Sequence, residues 1–214
     1  MAYLIEDQSF PDAERSGSGA AVENEVIALV TQAQLGDIRA FEALYELYNN
    51  QISRYLSRMV GNDGVGCELT QETFVKVWTY LPGLRSPTHF LGWLYRIATN
   101  CAYTYLKKHA RHKKELSLEI YLEQSDDLYI EGPEKRVEEL ELLRMALEKV
   151  SPTYRPCLIL HLIEDLPQNK IAELLGMKET SVSKYVSRGL KDLRQIYRKY
   201  VDTYSKPGMG GKAQ

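Results

Sequence analysis

Long apolar runs are missing from this chain. Nowhere in its 214 residues does one approach the roughly 20 needed to cross a bilayer, so membrane insertion is not expected. The opening residues, Met1-Ala2-Tyr3-Leu4-Ile5-Glu6-Asp7, have neither the basic start nor the apolar stretch of an export signal, which predicts a cytoplasmic protein. Cysteine is scarce as well. Cys67, Cys101 and Cys157 lie far apart with no Cys-x-x-Cys pair, excluding a disulfide framework and reading as reduced core thiols. Gly-rich phosphate loops and nucleophile motifs are absent, so the chain is read as a non-enzyme that needs no cofactor.

Two pairs have a metal-ligand spacing but no metal-ligand setting. His109 and His112 stand in a basic run with no thiol or carboxylate beside them. Cys157 and His161 belong to Cys157-Leu158-Ile159-Leu160-His161, which forms a core helix more simply than a zinc site. Strand-like alternation of useful length is also lacking, and so are internal repeats. The predicted fold class is all-α.

What is present is a pattern of charge. The formal net charge is only −2, yet no Asp or Glu occurs from Arg85 to Lys114, where Arg96, Lys107, Lys108, Arg111, Lys113 and Lys114 add to Arg85. From Glu115 to Glu148 the balance is acidic, and the last helix is basic again through Lys184, Arg188, Lys191, Arg194, Arg198 and Lys199. Two basic blocks separated by an acidic one suggest two contacts with a polyanion.

The periodicity divides the chain. Residues 1–24, with Ser16-Gly17-Ser18-Gly19, read as a flexible extension. Residues 25–111 read as a helical bundle. Phe41, Leu44, Tyr45, Tyr48, Ile52, Tyr55, Leu56 and Met59 form one stripe, ended by Gly61-Asn62-Asp63-Gly64. A second helix is predicted from Thr70 as cap, presenting Phe74, Val77, Trp78 and Leu81 before Pro82-Gly83. A third, capped by Ser86 or Thr88, buries Phe90, Leu94, Ile97, Ala98, Cys101 and Tyr105. Residues 112–134 read as an acidic linker, 135–203 as a second helical unit and 204–214 as a flexible tail. In the second unit Val137, Leu140, Leu143, Leu147 and Val150 form a stripe, Ser151-Pro152 restarts the chain, and Pro156 falls one turn inside the next helix.

The stretch Lys170 to Val186 has the features of a helix-turn-helix. Ala172 is small where two helices cross, Gly176 permits a left-handed turn, and Val182 and Val186 pack back on Ile171 and Leu175. The second helix then presents Thr180, Ser181, Ser183, Lys184, Ser187, Arg188 and Lys191, hydroxyls and cations suited to phosphates and guanine edges in a major groove. An ordinary helical hairpin with solvated cations shares these features. The first unit argues for DNA, because Phe90 to Asn100 interleaves aromatics with cations and has no carboxylate, as a surface for unpaired bases should. Phe90, Leu94 and Ile97 are core on this reading. The candidates for unpaired DNA lie off that stripe: Arg85, Thr88, His89, Arg96, Asn100, Tyr103 and Lys107.

Three stretches then carry a resemblance. Phe41-Glu42-Ala43-Leu44-Tyr45-Glu46-Leu47-Tyr48 with Leu69-Thr70-Gln71-Glu72-Thr73-Phe74-Val75-Lys76-Val77-Trp78, next Trp93-Leu94-Tyr95-Arg96-Ile97-Ala98-Thr99-Asn100, and last Ala146 to Leu193 resemble, in order, the regions of a bacterial sigma factor of the extracytoplasmic-function group, the small two-domain members of the primary sigma family. The resemblance implies a region 2-like domain that docks on polymerase and opens the minus-ten element. It also implies a region 4-like domain that binds the minus-thirty-five element as duplex. The implied partners are RNA polymerase core, through a coiled coil of its largest subunit, promoter DNA in both forms, and a cognate anti-sigma factor. Glu68, Leu69, Gln71, Glu72 and Val75 become the implied polymerase contacts, carboxylates there suiting a basic partner. The same carboxylates also favour the positive end of their own helix, by about 0.3–1 kcal/mol.

Some positions depart from the family pattern. Cys67-Glu68 stands where an acidic pair is common, Ser183 and Tyr185 where basic residues are frequent, and Pro167 where a serine cap is usual. A competing reading is a repressor or activator that works without polymerase, using the helix-turn-helix alone with a sensing N-terminal domain. It predicts a self-complementary helix for dimerisation and a palindromic site.

Overall fold

The computed structural model describes the backbone of residues 18–116 and 135–204, and side chains within 21–111 and 142–202. Eight α-helices and two single 3₁₀ turns are present among these residues, and no strand. The first four helices are α1 (Ser18–Gln34), α2 (Ile38–Val60), α3 (Asp63–Tyr80) and α4 (Phe90–Leu116); the rest are α5 (Lys135–Lys149), α6 (Arg155–Leu162), α7 (Gln168–Leu175) and α8 (Glu179–Tyr204). The all-α, two-domain expectation agrees with this architecture.

Local chemistry sets the helix ends in the first domain. The Asp37 carboxylate accepts from the amides of Arg39 and Ala40 at 2.9 and 3.2 Å, starting α2, and Gly61 closes it in the left-handed conformation at φ 75°. Asn62 then caps α3 by accepting from Val65 N at 3.0 Å. The helix predicted to start at Thr70 therefore begins two turns earlier. Thr70 caps nothing; it is buried inside α3 and donates to the Gly66 carbonyl at 2.7 Å. Gly66 lets α3 approach α2, since a Cβ there would lie 2.8 Å from the Ser57 backbone and closer still to its hydroxyl. The packing benefit outweighs the low helix propensity of Gly66.

Leu44, Ile52, Tyr55, Leu56 and Met59 of α2 meet Phe74 and Val77 of α3 and Phe90, Leu94, Ala98 and Cys101 of α4. Rings tie the layers together: Tyr45 and Phe41 pack on Phe74, and Tyr55 on Tyr95. The buried Thr99 hydroxyl donates to Tyr95 O at 2.7 Å, so the Tyr55 hydroxyl is the donor in its 2.8 Å bond to Thr99. Burial pushes both tyrosine pKa values upward. Trp78, expected in the stripe, is partly exposed and tilts against Phe41 at 4.8 Å.

Other boundaries shift. Residues 18–24, expected in the extension, continue α1, whose Val26, Leu29, Val30 and Ala33 pack on the bundle. Residues 112–116, expected in the linker, are the end of α4, whereas 117–134, 1–17 and 205–214 lie outside the described residues. Neither Ser86 nor Thr88 caps α4; Pro87–His89 form a 3₁₀ turn and the two hydroxyls bond each other at 2.8 Å. Pro156 is in the first turn of α6, where its missing N–H costs nothing, because Ser151-Pro152 makes a turn and not a helix start. Leu143 is exposed, and Ala146 takes its place in the core. Cys101 and Cys157 are buried free thiols as expected, but Cys67 is exposed.

The second domain packs α6, α7 and the first half of α8 around Leu158, Ile159, Leu160, Ile171, Val182 and Val186, with α5 against α8. It does not stand apart from the first: α5 and α6 touch α2, and α7 touches α4.

Candidate nucleic-acid interface

The helix-turn-helix is built as the sequence predicts. Gly176 has φ 64°, closing α7 with its amide on the Ala172 and Glu173 carbonyls, while Ile171, Ala172, Val182 and Val186 are buried. Pro167 occupies the α7 cap without a side-chain bond. With its apolar side fixed inward, α8 turns Thr180, Ser183, Lys184, Ser187, Arg188 and Lys191 to solvent, and Ser181 is half-buried. Lys184, Arg188 and Lys191 follow at four and three residues, so their cations share one face.

The second set lies on α4 and the turn before it. Arg96, Asn100, Tyr103 and Lys107 are exposed, and their spacing of four, three and four residues makes a stripe beside the core face. Arg85, Thr88 and His89 are exposed in the preceding segment, with Thr88 Oγ1 3.4 Å from His89 Nδ1. Arg96, Asn100, Tyr103 and Lys107 thus share one stripe of α4, with Arg85, Thr88 and His89 in the segment before it.

The third set is on α3. Glu68, Gln71, Glu72 and Val75 are exposed, Val75 at 66%, and Glu72 pairs with Lys76 at 2.6 Å. Leu69 does not share that surface. Its side chain is 5% exposed and belongs to the core, because the inward face of α3 carries Leu69, Thr70 and Thr73.

The first two surfaces meet. Arg96, whose Nε donates to Gly92 O at 3.3 Å, lies against the α7–α8 turn: a Cβ built on Gly176 would be 3.2 Å from its Nη1. Beneath it a cavity of about 350 Å³ is lined by Arg96, Asn100 and Tyr103 of α4, Cys157 of α6, Met177 of the α7–α8 turn and Tyr185 of α8. Burial raises the Cys157 thiol to about 11 and also pushes Tyr103 upward.

Sequence reasoning missed the residues that join the domains. Arg155, 4% exposed, donates to Met59 O of α2 and, at 2.6 and 2.9 Å, to Glu148 O and Val150 O of its own domain. Glu164, 6% exposed, pairs with Arg58 of α2 at 2.7 Å, and Arg144 donates to Gly61 O at 2.8 Å. Nothing around Arg155 or Glu164 in the sequence signals these distant partners. Among the described residues no cluster of His, Cys, Asp and Glu is placed to hold a metal, and no helix is long and apolar enough to cross a membrane.

Comparison with known proteins fits this arrangement. A family model described as Sigma-70 region 2 matches residues 44–112, and one described as Sigma-70, region 4 matches residues 140–193. The chain is 27% identical over 180 residues to the ECF RNA polymerase sigma factor SigW of Bacillus subtilis, covering 79% of this chain and 95% of that one. It is 30% identical over 141 residues to the ECF RNA polymerase sigma-E factor of Salmonella typhimurium, covering 66% and 69%. In fold it is similar to the sigma factor RpoE of Bartonella quintana, solved with the anti-sigma factor NepR, at a TM-score of 0.57 and 19% identity over 75% of this chain and 98% of that one. The wider grouping that these models describe is sigma-70, which replaces the primary sigma family named from the sequence. The chain belongs to the ECF RNA polymerase sigma factors of the sigma-70 family.

Proposed function

We propose that this chain is the subunit that gives a bacterial RNA polymerase its choice of promoter, with no chemistry of its own. The observation that carries the reading is the pair of exposed basic surfaces, the α8 face of Lys184, Arg188 and Lys191 and the α4 stripe of Arg96, Asn100, Tyr103 and Lys107, on two separately patterned domains. A helix in a major groove reads duplex by its exposed polar side chains, so α8 takes the minus-thirty-five element. Aromatic and cationic groups on one edge hold unstacked bases and their phosphates, so α4 with Arg85, Thr88 and His89 takes the opened minus-ten element.

The acidic, partly apolar outer face of α3, with Glu68, Gln71, Glu72 and Val75, is the polymerase-docking surface; Leu69 supports it from inside. The proposed domains are α1 to α4 and α5 to α8, joined by the segment between them. The protein works in the cytoplasm beside polymerase and is held in check by an anti-sigma factor. The rival repressor reading leaves the α4 stripe and the α3 face without a task.

Run-off transcription with purified core polymerase on a promoter library tests the reading. Starts at defined sites that depend on this chain are expected. Absence of association with core and of specific initiation would overturn it, and specific DNA binding without polymerase would favour the repressor.

A further inference from the structure

We propose that the cavity beside Arg96 is a binding site for a small aromatic carboxylate, its anion held by Arg96 and its ring by Tyr103 and Tyr185. The site rests on the geometry and charge of the cavity. Only its effect on DNA rests on the reading of α4 as the surface for unpaired bases.

At about 350 Å³ the space is at the lower end of small-molecule pockets, and its lining has their usual composition, apolar with a few polar groups. Pro156 and Cys157 are its buried apolar part, and Arg96, Asn100, Tyr103 and Tyr185 are polar or amphipathic. The cavity is not a loose fit between helices, because the contacts next to its lining residues are tight. One turn before Arg96, a Cβ on Gly92 would lie 3.2 Å from Leu174 O, and a Cβ on Gly176, which precedes the lining residue Met177, would meet Arg96 Nη1 at 3.2 Å. Arg155, next to Pro156 in the chain, is buried and bonds Met59 O and Val150 O. Close packing therefore bounds the space and fixes its shape.

The charge of the lining selects the ligand. No Asp or Glu lines the cavity, and Arg96 supplies one full positive charge. Its Nε is used on Gly92 O, whereas neither Nη group bonds a described residue, which leaves two donors for the two oxygens of an anion. Burial pushes the Tyr103 hydroxyl and the Cys157 thiol upward, so neither becomes an opposing negative charge near neutral pH. A single guanidinium matches the single charge of a carboxylate better than the nearly double charge of a phosphate monoester. The rest of the ligand meets rings: Tyr103 comes from α4 and Tyr185 from α8, the latter braced by Tyr154 at 5.4 Å. A flat apolar body suits them. A molecule seated there occupies Arg96, Asn100 and Tyr103, three of the groups proposed to hold the opened minus-ten element, so the two ligands exclude each other.

The test titrates the full chain, without DNA or polymerase, with benzoate, with its neutral analogue benzamide and with phenyl phosphate. Benzoate should bind at one site, at least about tenfold more tightly than benzamide, the worth of one charge-assisted contact. Arg96→Gln should bring benzoate down to the level of benzamide and leave benzamide unchanged. Thr153→Trp fills the cavity from an exposed turn position and should abolish binding with thermal unfolding unchanged. At about ten times its dissociation constant, benzoate should weaken binding of a short random-sequence single strand about elevenfold and leave duplex binding unchanged. No binding, equal binding of benzoate and benzamide, or full binding in Thr153→Trp would each refute the site. Tighter binding of phenyl phosphate than of benzoate would refute the carboxylate, and an unchanged affinity for single strand would refute the competition. None of these outcomes bears on promoter selection, which run-off transcription decides with no probe present.

Discussion

The two domains solve the problem of holding a reading surface in opposite ways. The first is a four-helix unit whose core carries paired rings, Tyr55 on Tyr95, Tyr48 on Phe90 and Tyr45 on Phe74, and the α4 edge is carried on a helix fixed by its inner face. The second is smaller. Its α6 and α7 have eight residues each, and its core is aliphatic. Two of its buried side chains, Arg155 and Glu164, are ionic and reach the first domain. Small domains bury too little surface to be very stable alone. The comparison teaches that the helix-turn-helix obtains precision from tight local geometry and draws stability from its neighbour.

Truncating the core should sharpen that contrast most. Leu94→Ala in the first domain and Leu158→Ala in the second should each cost about 2–5 kcal/mol in denaturant unfolding. Leu158→Ala should release the second domain in an earlier transition, with the first still folded; a single shared transition for both variants would break the contrast. On the docking face, Gln71→Ala combined with Glu72→Lys should abolish co-purification with core polymerase while leaving the circular dichroism spectrum intact, because it reverses charge on an exposed surface.

Arg188→Ala should weaken duplex promoter binding by about 1–3 kcal/mol in a titration at fixed salt and lower transcript yield, with no change in single-strand binding. Equal loss in both assays would mean that the two surfaces are not separate. Gly176→Ala places a side chain at φ 64° and against Arg96, so thermal unfolding should show a loss of about 1–2 kcal/mol confined to the second domain. Smallest in effect, alkylation near neutral pH should mark Cys67 and spare Cys101 and Cys157. The buried Cys157 thiol, held at about 11, gains its reactive thiolate only as the pH approaches that value.

The helix-turn-helix was legible because its determinants are local: Ala172, Gly176, Val182 and Val186 lie within one short stretch and each has a steric reason to be what it is. The exposed candidates on α8 and α4 followed from helical periodicity, which also separates them from the core. Failures arose where a distant element decides. Gly64 reads as part of a break after α2, yet it lies inside the first turn of α3, whose close approach to α2 is permitted by Gly66. Trp78 and Leu143 fit an apolar stripe yet end at its rim. Leu69 was assigned outward by the resemblance, and its place on the inner face of α3 removes it from that surface. Arg155 gave no sign of burial, its acceptor on Met59 being 96 residues away.

The long α4 has a mechanical consequence. Its 27 residues make a rod of about 40 Å, clamped from Phe90 to Ala102 and steadied by Tyr105, with exposed Lys107, Lys108 and Arg111 further out. Such a rod is a cantilever. A force applied where it ends turns about the clamp and bears on Asn100 and Tyr103, so a pull at the end of the rod becomes torque on the edge proposed to hold melted DNA.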